Sequence, residues 1–156
     1  MARAKWDEAA SKTMVMLDKL RQYPEAQIRH CLLRFCLDAC RVMHLMRRAG
    51  IAGSEDHCGH LSAKIREAVD DLVGGGLTNR AWKQACLPIR LGGFGVSDPI
   101  SAWPSARVAA TVGLRQHGER VGLPEAACKC LPPDWDASTA LLQNQLSPNF
   151  DPLAQW

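Results

Sequence analysis

The chain has no run approaching the ~18 consecutive apolar residues of a membrane span. Alternating apolar and polar stretches are almost missing, which excludes an extensive half-buried sheet. There is no fixed-period repeat and no low-complexity tract. No charge of one sign dominates: 19 Lys and Arg against 16 Asp and Glu give +3, which neither demands nor excludes a polyanionic partner. No apolar leader follows Met1, and the seven cysteines are an odd number, so reduced thiols in an intracellular protein are expected. Aromatic residues make only 6%.

What is present is an ordinary globular composition. Hydrophobic residues make 47% and charged residues 22% of 156 residues, which fits one folded domain rather than a disordered chain. The basic excess is local. Residues 1–50 hold ten Lys and Arg against five Asp and Glu, so an anionic partner is expected to dock there.

Gly and Pro punctuate a series of helical patterns. Asp7–Gln22 carries Ala10, Met14, Leu17 and Leu20 at helical spacing, and Pro24 ends it. Glu25–Ala49 is the longest pattern, with Ile28, Leu32, Phe35, Ala39, Met43 and Met46. Ile51–Gly59 reads as a loop and Leu61–Val73 as a third helix, closed by Gly74-Gly75-Gly76. A short helix over Asn79–Cys86 leads to Pro88 and the Gly92-Gly93-Phe94-Gly95 loop. Ser97, Asp98 and Pro99 mark the start of a helix to about Gln116. A last helix spans Ala137–Leu146. The expectation is a mainly α fold, an irregular multi-helix bundle with a Gly-rich loop and at most one short extended piece within Leu87–Val96. Its parts are an N-terminal helix (1–24), a central helical region (25–122) and a C-terminal tail (123–156).

Most candidate chemistry has a plain structural explanation. Asp70-Asp71 resembles a metal-binding carboxylate pair, but neighbours on a helix diverge by about 100° and do not converge on one ion. Both carboxylates are expected to face solvent. His57, Cys58 and His60 form at most half of a zinc site, with no second half in view. Cys36 and Cys40 are expected to pack as small hydrophobes on the long helix. The glycine loop lacks the Lys-Ser/Thr of a P-loop, and a tight turn explains it. No metal or cofactor is expected. The arginines of the long helix say more. Arg34, Arg41 and Arg48 are spaced by seven and fall within roughly 40° on a helical wheel, with Phe35, Ala39 and Met46 expected on the buried side. Such a stripe can track a phosphate backbone.

One stretch adds a resemblance. Trp82-Lys83-Gln84-Ala85-Cys86-Leu87-Pro88-Ile89-Arg90-Leu91-Gly92-Gly93-Phe94-Gly95-Val96 resembles a motif downstream of the polymerase palm in LINE-type (non-LTR) retrotransposon reverse transcriptase polyproteins. There the pattern runs Gln-Ala-x-Leu-Pro-x-x-x-Gly-Gly-Leu-Gly-Leu, followed by a helix of small residues; here Ala102–Ala110 stands in that place. Gln27–Arg48 is similar to the family's helix after the palm, through Leu32-Leu33-Arg34-Phe35-Cys36 and His44-Leu45-Met46-Arg47. The likeness covers about Leu17–Ala110. It implies a region in or just after the thumb, the helical element that grips the primer–template duplex. The family's aromatic-Ala-Asp-Asp hairpin has no counterpart, since Ala68-Val69-Asp70-Asp71 sits in a helical pattern.

The resemblance therefore implies a non-catalytic thumb-like fragment. It would bind an RNA–DNA or DNA duplex weakly and without sequence preference, beside the missing palm and fingers of a parent polyprotein, and in the nucleus where the element is active. Arg34, Arg41 and Arg48 would meet phosphates, helped by Arg47 and Arg29. Leu87, Pro88, Gly92, Gly93 and Gly95 would be structural. The competing expectations are a helical protein-interaction domain without a nucleic-acid role, and a small metal enzyme using His57, Cys58 and His60.

Overall fold

A computed structural model of the chain describes residues 2–47, 54–124 and 135–145. The described residues are mainly helical and include no strand. Helix α1 (Ala2–Leu20) buries Trp6, Ala10, Thr13, Leu17 and Leu20, a three-and-four spacing that makes one apolar stripe. Helix α4 (Ser54–Leu72) does the same with Cys58, Leu61, Ile65, Ala68 and Val69. The two stripes face each other, so the first helix shares its core with the central region rather than standing apart. Lys64 bridges to Asp18 and Glu67 at 3.2 Å each on the outside of this pair. Helix α4 begins at Ser54, inside the stretch that reads as a loop; His57 belongs to it.

The pattern Glu25–Ala49 is not one helix. It divides into α2 (Ala26–Leu32), a π-helical turn (Leu33–Leu37), a 3-10 turn (Ala39–Arg41) and α3 (Met43–Met46). The break falls at Asp38, whose backbone is extended at φ −82° and ψ −160°. Core geometry requires it. On a straight helix, at about 100° per residue, Leu33 and Leu37 would point to one side and Ala39, Val42 and Met46 to the other. With the break, all five are buried. The cost falls on residues at the outer angle of the first half: Phe35 is 65% exposed and Ile28 45%, against the expectation that Phe35 is buried. Cys36 and Cys40 are likewise exposed rather than packed in the core.

Helix α5 (Asn79–Ala85) buries Trp82 and Ala85, and Thr78 caps its start by accepting from the Ala81 amide at 3.2 Å. A 3-10 turn (Ile89–Leu91) follows, in place of an extended piece. Helix α6 (Pro99–Arg120) opens on a first-turn proline and packs on α3 and α4. Its N-cap Asp98 accepts from the hydroxyls of Ser62 at 2.5 Å and Ser101 at 2.9 Å instead of capping the helix amides. The later half of α6 carries Val108 and Val112 to a second core, shared with Trp135 and Leu142 of α7 (Trp135–Gln145).

Candidate nucleic-acid interface

The glycine loop is a closed backbone structure. Pro88 O accepts from the amides of Leu91 (2.9 Å) and Gly93 (3.2 Å), and Leu87 O accepts from Gly95 (2.9 Å). Phe94 N donates back to Ala85 O at 2.9 Å, and Gln84 Nε2 donates to Leu91 O and Gly92 O. Each glycine has its own reason. Gly92 (φ +76°) and Gly95 (φ +68°) occupy the left-handed region, which disfavours a side chain. At Gly93 the demand is space: a Cβ there would stand 2.0 Å from Leu87 O.

This loop sits on the start of the broken helix. His30 Nε2 lies 2.8 Å from Phe94 O, and the two rings are 5.4 Å apart, tilted at 58°. Arg34 lies so close to Gly95 that a Cβ there would come within 2.9 Å of its Nε. The broken helix and the glycine loop are thus in direct contact, through His30 and Arg34.

The predicted phosphate contacts are placed differently. Arg34 is half-buried, with its guanidinium carbon 4.7 Å from the Phe35 ring centroid, a cation–π arrangement. Arg41 is exposed on the 3-10 turn beyond the break, so the two do not share one straight helix. Arg41, His44 and Leu45 line an open groove of about 490 Å³ with Glu8, Ala9 and Lys12 of α1. Arg47 is exposed, and its carbonyl accepts from Arg107 Nη1 at 3.0 Å. Arg48 lies outside the described residues. Arg29 is withdrawn from solvent: its side chain is 17% exposed and Nη1 donates to Asp71 Oδ2 at 2.8 Å. Its charge is engaged by Asp71 rather than open to solvent.

Asp70 and Asp71 diverge, as neighbours on a helix must, but they do not simply face solvent. Asp71 holds Arg29, and Asp70 Oδ1 accepts from Leu77 N at 2.6 Å. Arg66, one turn earlier, donates to Leu77 O at 3.2 Å and Asn79 Oδ1 at 2.8 Å. Together they clamp the turn in which Gly74, Gly75 and Gly76 all have positive φ. Two carboxylates with separate structural partners do not form a metal pair. Cys58 is buried while His60 is exposed, so they face apart, and no group of three or more His, Cys, Asp or Glu among the described residues is placed to hold a metal. Although Cys40 is exposed overall, partial burial first, then a hydrogen bond with Asp38, pushes its thiol up to about 11, which makes it a poor nucleophile at neutral pH. Burial pushes Cys86 up to about 11 as well. No helix among the described residues is long and apolar enough to cross a membrane.

Asp38 is the residue that sequence reasoning passed over. It is 2% exposed. Oδ1 accepts from Cys40 N at 2.8 Å and Oδ2 from Ser97 N at 3.0 Å, while Ala39 N donates to Ser97 O at 3.3 Å. The helix break is thereby pinned to the end of the glycine loop. An Asp between Leu37 and Ala39, inside an apolar pattern, was the available signal, because Asp side chains compete with helical backbone bonding. Set against known proteins, the chain matches no family model, no curated protein and no solved structure.

Proposed function

We propose that the chain is a non-catalytic, thumb-like helical module of a reverse transcriptase that holds the backbone of a nucleic-acid duplex without reading its sequence. The observation that carries this is an uncompensated set of cations. Arg34, Arg41 and Arg47 have no carboxylate partner among the described residues, whereas Lys12, Arg21, Arg29, Lys64 and Arg115 each have one. The single acid between Glu25 and Glu55 is Asp38, which is buried and bonded to two amides. Exposed Arg41 and Arg47 and half-buried Arg34 therefore carry charge that no ion pair among the described residues engages, which favours phosphates. Arg41 contributes from the groove beside α1, whose lining also holds His44 and the Lys12–Glu8 ion pair. Arg48 is a candidate from the sequence pattern alone and is not counted among these three.

Binding is read by fluorescence anisotropy of a labelled RNA–DNA hybrid across a salt series. Three phosphate contacts give a log–log salt slope of about −2.7, from about −0.9 per neutralised phosphate. Arg41→Gln with Arg47→Gln is expected to bring the slope to about −0.9. This pair is the cleaner test, because Arg34 also supports Gly95. Absence of binding at low salt, or a slope indifferent to the double change, overturns the reading. Primer extension on an RNA template with Mg²⁺ or Mn²⁺ is expected to be absent. Robust extension abolished by Asp70→Ala would overturn the non-catalytic part.

A further inference from the structure

A second surface, on the far side of the glycine loop, has its own chemistry. Helix α5 turns Trp82 and Ala85 into the core and leaves Arg80, Lys83 and Gln84 exposed. Gln84 Nε2 reaches Leu91 O at 3.2 Å and Gly92 O at 3.1 Å, which folds the 3-10 turn back against that exposed face. The turn carries three aliphatic side chains outward: Leu87, Ile89 and Leu91 are 38%, 51% and 57% exposed. Arg90 stands between them, also exposed. An apolar centre is thus bordered by Arg80, Lys83 and Arg90.

These cations are uncompensated. The sequence has no Asp or Glu between Asp71 and Asp98. Asp71 is engaged with Arg29, and Asp98 with the hydroxyls of Ser62 and Ser101. None of Arg80, Lys83 and Arg90 has a carboxylate partner among the described residues. The surface is also braced before anything binds. The Pro88, Ile89 and Leu87 carbonyls are all bonded within the loop, so docking orders little new backbone, and that ordering cost is what commonly erodes affinity.

We propose that Leu87, Ile89 and Leu91, with Arg80, Lys83 and Arg90 around them, dock an acidic protein segment that carries aliphatic side chains. The charge calls for carboxylates at the rim, and the centre calls for aliphatic contact, the usual division within a protein interface. Single-stranded nucleic acid would use aromatic stacking beside its phosphates, and a bilayer interface favours Trp and Tyr. The exposed residues of this turn are aliphatic, so a protein partner fits better than either. This proposal does not rest on duplex binding, which concerns Arg34, Arg41 and Arg47.

The test is selection of random dodecapeptides displayed on phage against the intact chain, followed by anisotropy of the enriched peptides. They are expected to be net negative, with two or more Leu, Ile or Val. Ile89→Ser with Leu91→Ser, both at exposed positions, is expected to weaken them on the order of tenfold. Arg80→Gln with Lys83→Gln is expected to weaken them and flatten their salt dependence, with the circular dichroism of both variants unchanged. Failure to enrich any peptide, enrichment of neutral or basic ones, or equal binding to the Ser variant overturns the proposal. Two further arms probe the other partners: vesicles of phosphatidylserine and phosphatidylcholine in equal parts, and the RNA–DNA hybrid. Vesicle binding lost with Ile89→Ser and Leu91→Ser, or hybrid binding lost with Arg80→Gln and Lys83→Gln, overturns it in favour of that partner.

Discussion

Gly93→Ala is expected to lower the stability of the chain by about 3 kcal/mol or more, at the upper end of what overpacking costs. An added Cβ would stand 2.0 Å from Leu87 O, 2.5 Å from Leu87 C and 2.6 Å from Gln84 O. All three are backbone atoms, so no side chain can swing away. Relief requires moving Leu87 or Gly93, and both are tied: Gly93 N to Pro88 O, Leu87 O to Gly95 N. For a chain of this size the loss corresponds to roughly 6–12 °C in melting temperature. Two other glycines calibrate the result. Gly95→Ala meets the Arg34 side chain, which can shift, but suffers the positive φ, so its cost is smaller. Gly113→Ala lies within α6 with nothing within 4 Å of the new Cβ, and a gain of about 0.5–1 kcal/mol is expected from helix propensity. Urea melts of the three variants give the comparison. A Gly93→Ala protein as stable as the parent would mean that the loop is not packed as described.

The glycine loop was legible in outline, because Gly and Pro restrict the backbone wherever they stand. The sequence marked a tight turn at Gly92-Gly93-Phe94-Gly95 and allowed a short extended piece within Leu87–Val96, where a 3-10 turn forms instead; which glycine faces a carbonyl depends on Leu87 and Gln84, and no local pattern says so. Helices α1, α5 and α6 were legible for the same local reason: spacing inside and a stop or start at the ends. The interrupted helix was not. Ile28, Phe35, Ala39 and Met46 line up on a straight wheel, and that alignment looks like a core stripe. The core instead takes Leu33 and Leu37 from one side of the wheel and Ala39, Val42 and Met46 from the other. Two local stripes compete, and only their partners on α1, α4 and α6 decide between them. The arginine stripe failed with the helix that defined it. Arg34 and Arg41 line up on a straight wheel, but the break places them on separate turns. Arg29 could not be sorted from them in the sequence, because its partner Asp71 is 42 residues away.

Asp38→Ala is expected to cost about 2–5 kcal/mol, because it strands two donors at once. Cys40 N and Ser97 N each lose an acceptor in a part-buried site beside the buried Asp38 side chain, and an unpaired buried amide costs roughly 1–3 kcal/mol. Asp38→Asn keeps an acceptor for one amide but turns an NH₂ toward the other, so an intermediate loss is expected. Hydrogen exchange localises the effect: the Cys40 and Ser97 amides should open faster, while those of the α1–α4 pair should change little. The core argument adds a second expectation. Since a straight helix would expel either Leu33 and Leu37 or Val42 and Met46, removing Asp38 should not raise helix content. A stable, more helical Asp38→Ala protein would show that the break is not required by the core. The same variant separates charge from placement in duplex binding. Losing a carboxylate adds one to the net charge of +3, which by itself strengthens attraction to phosphates. If the pinned break is what sets Arg41 relative to Arg34, hybrid affinity falls instead, under conditions where the variant is still folded. Tighter binding by Asp38→Ala would mean that the duplex senses only the charge and not the arrangement that Asp38 maintains.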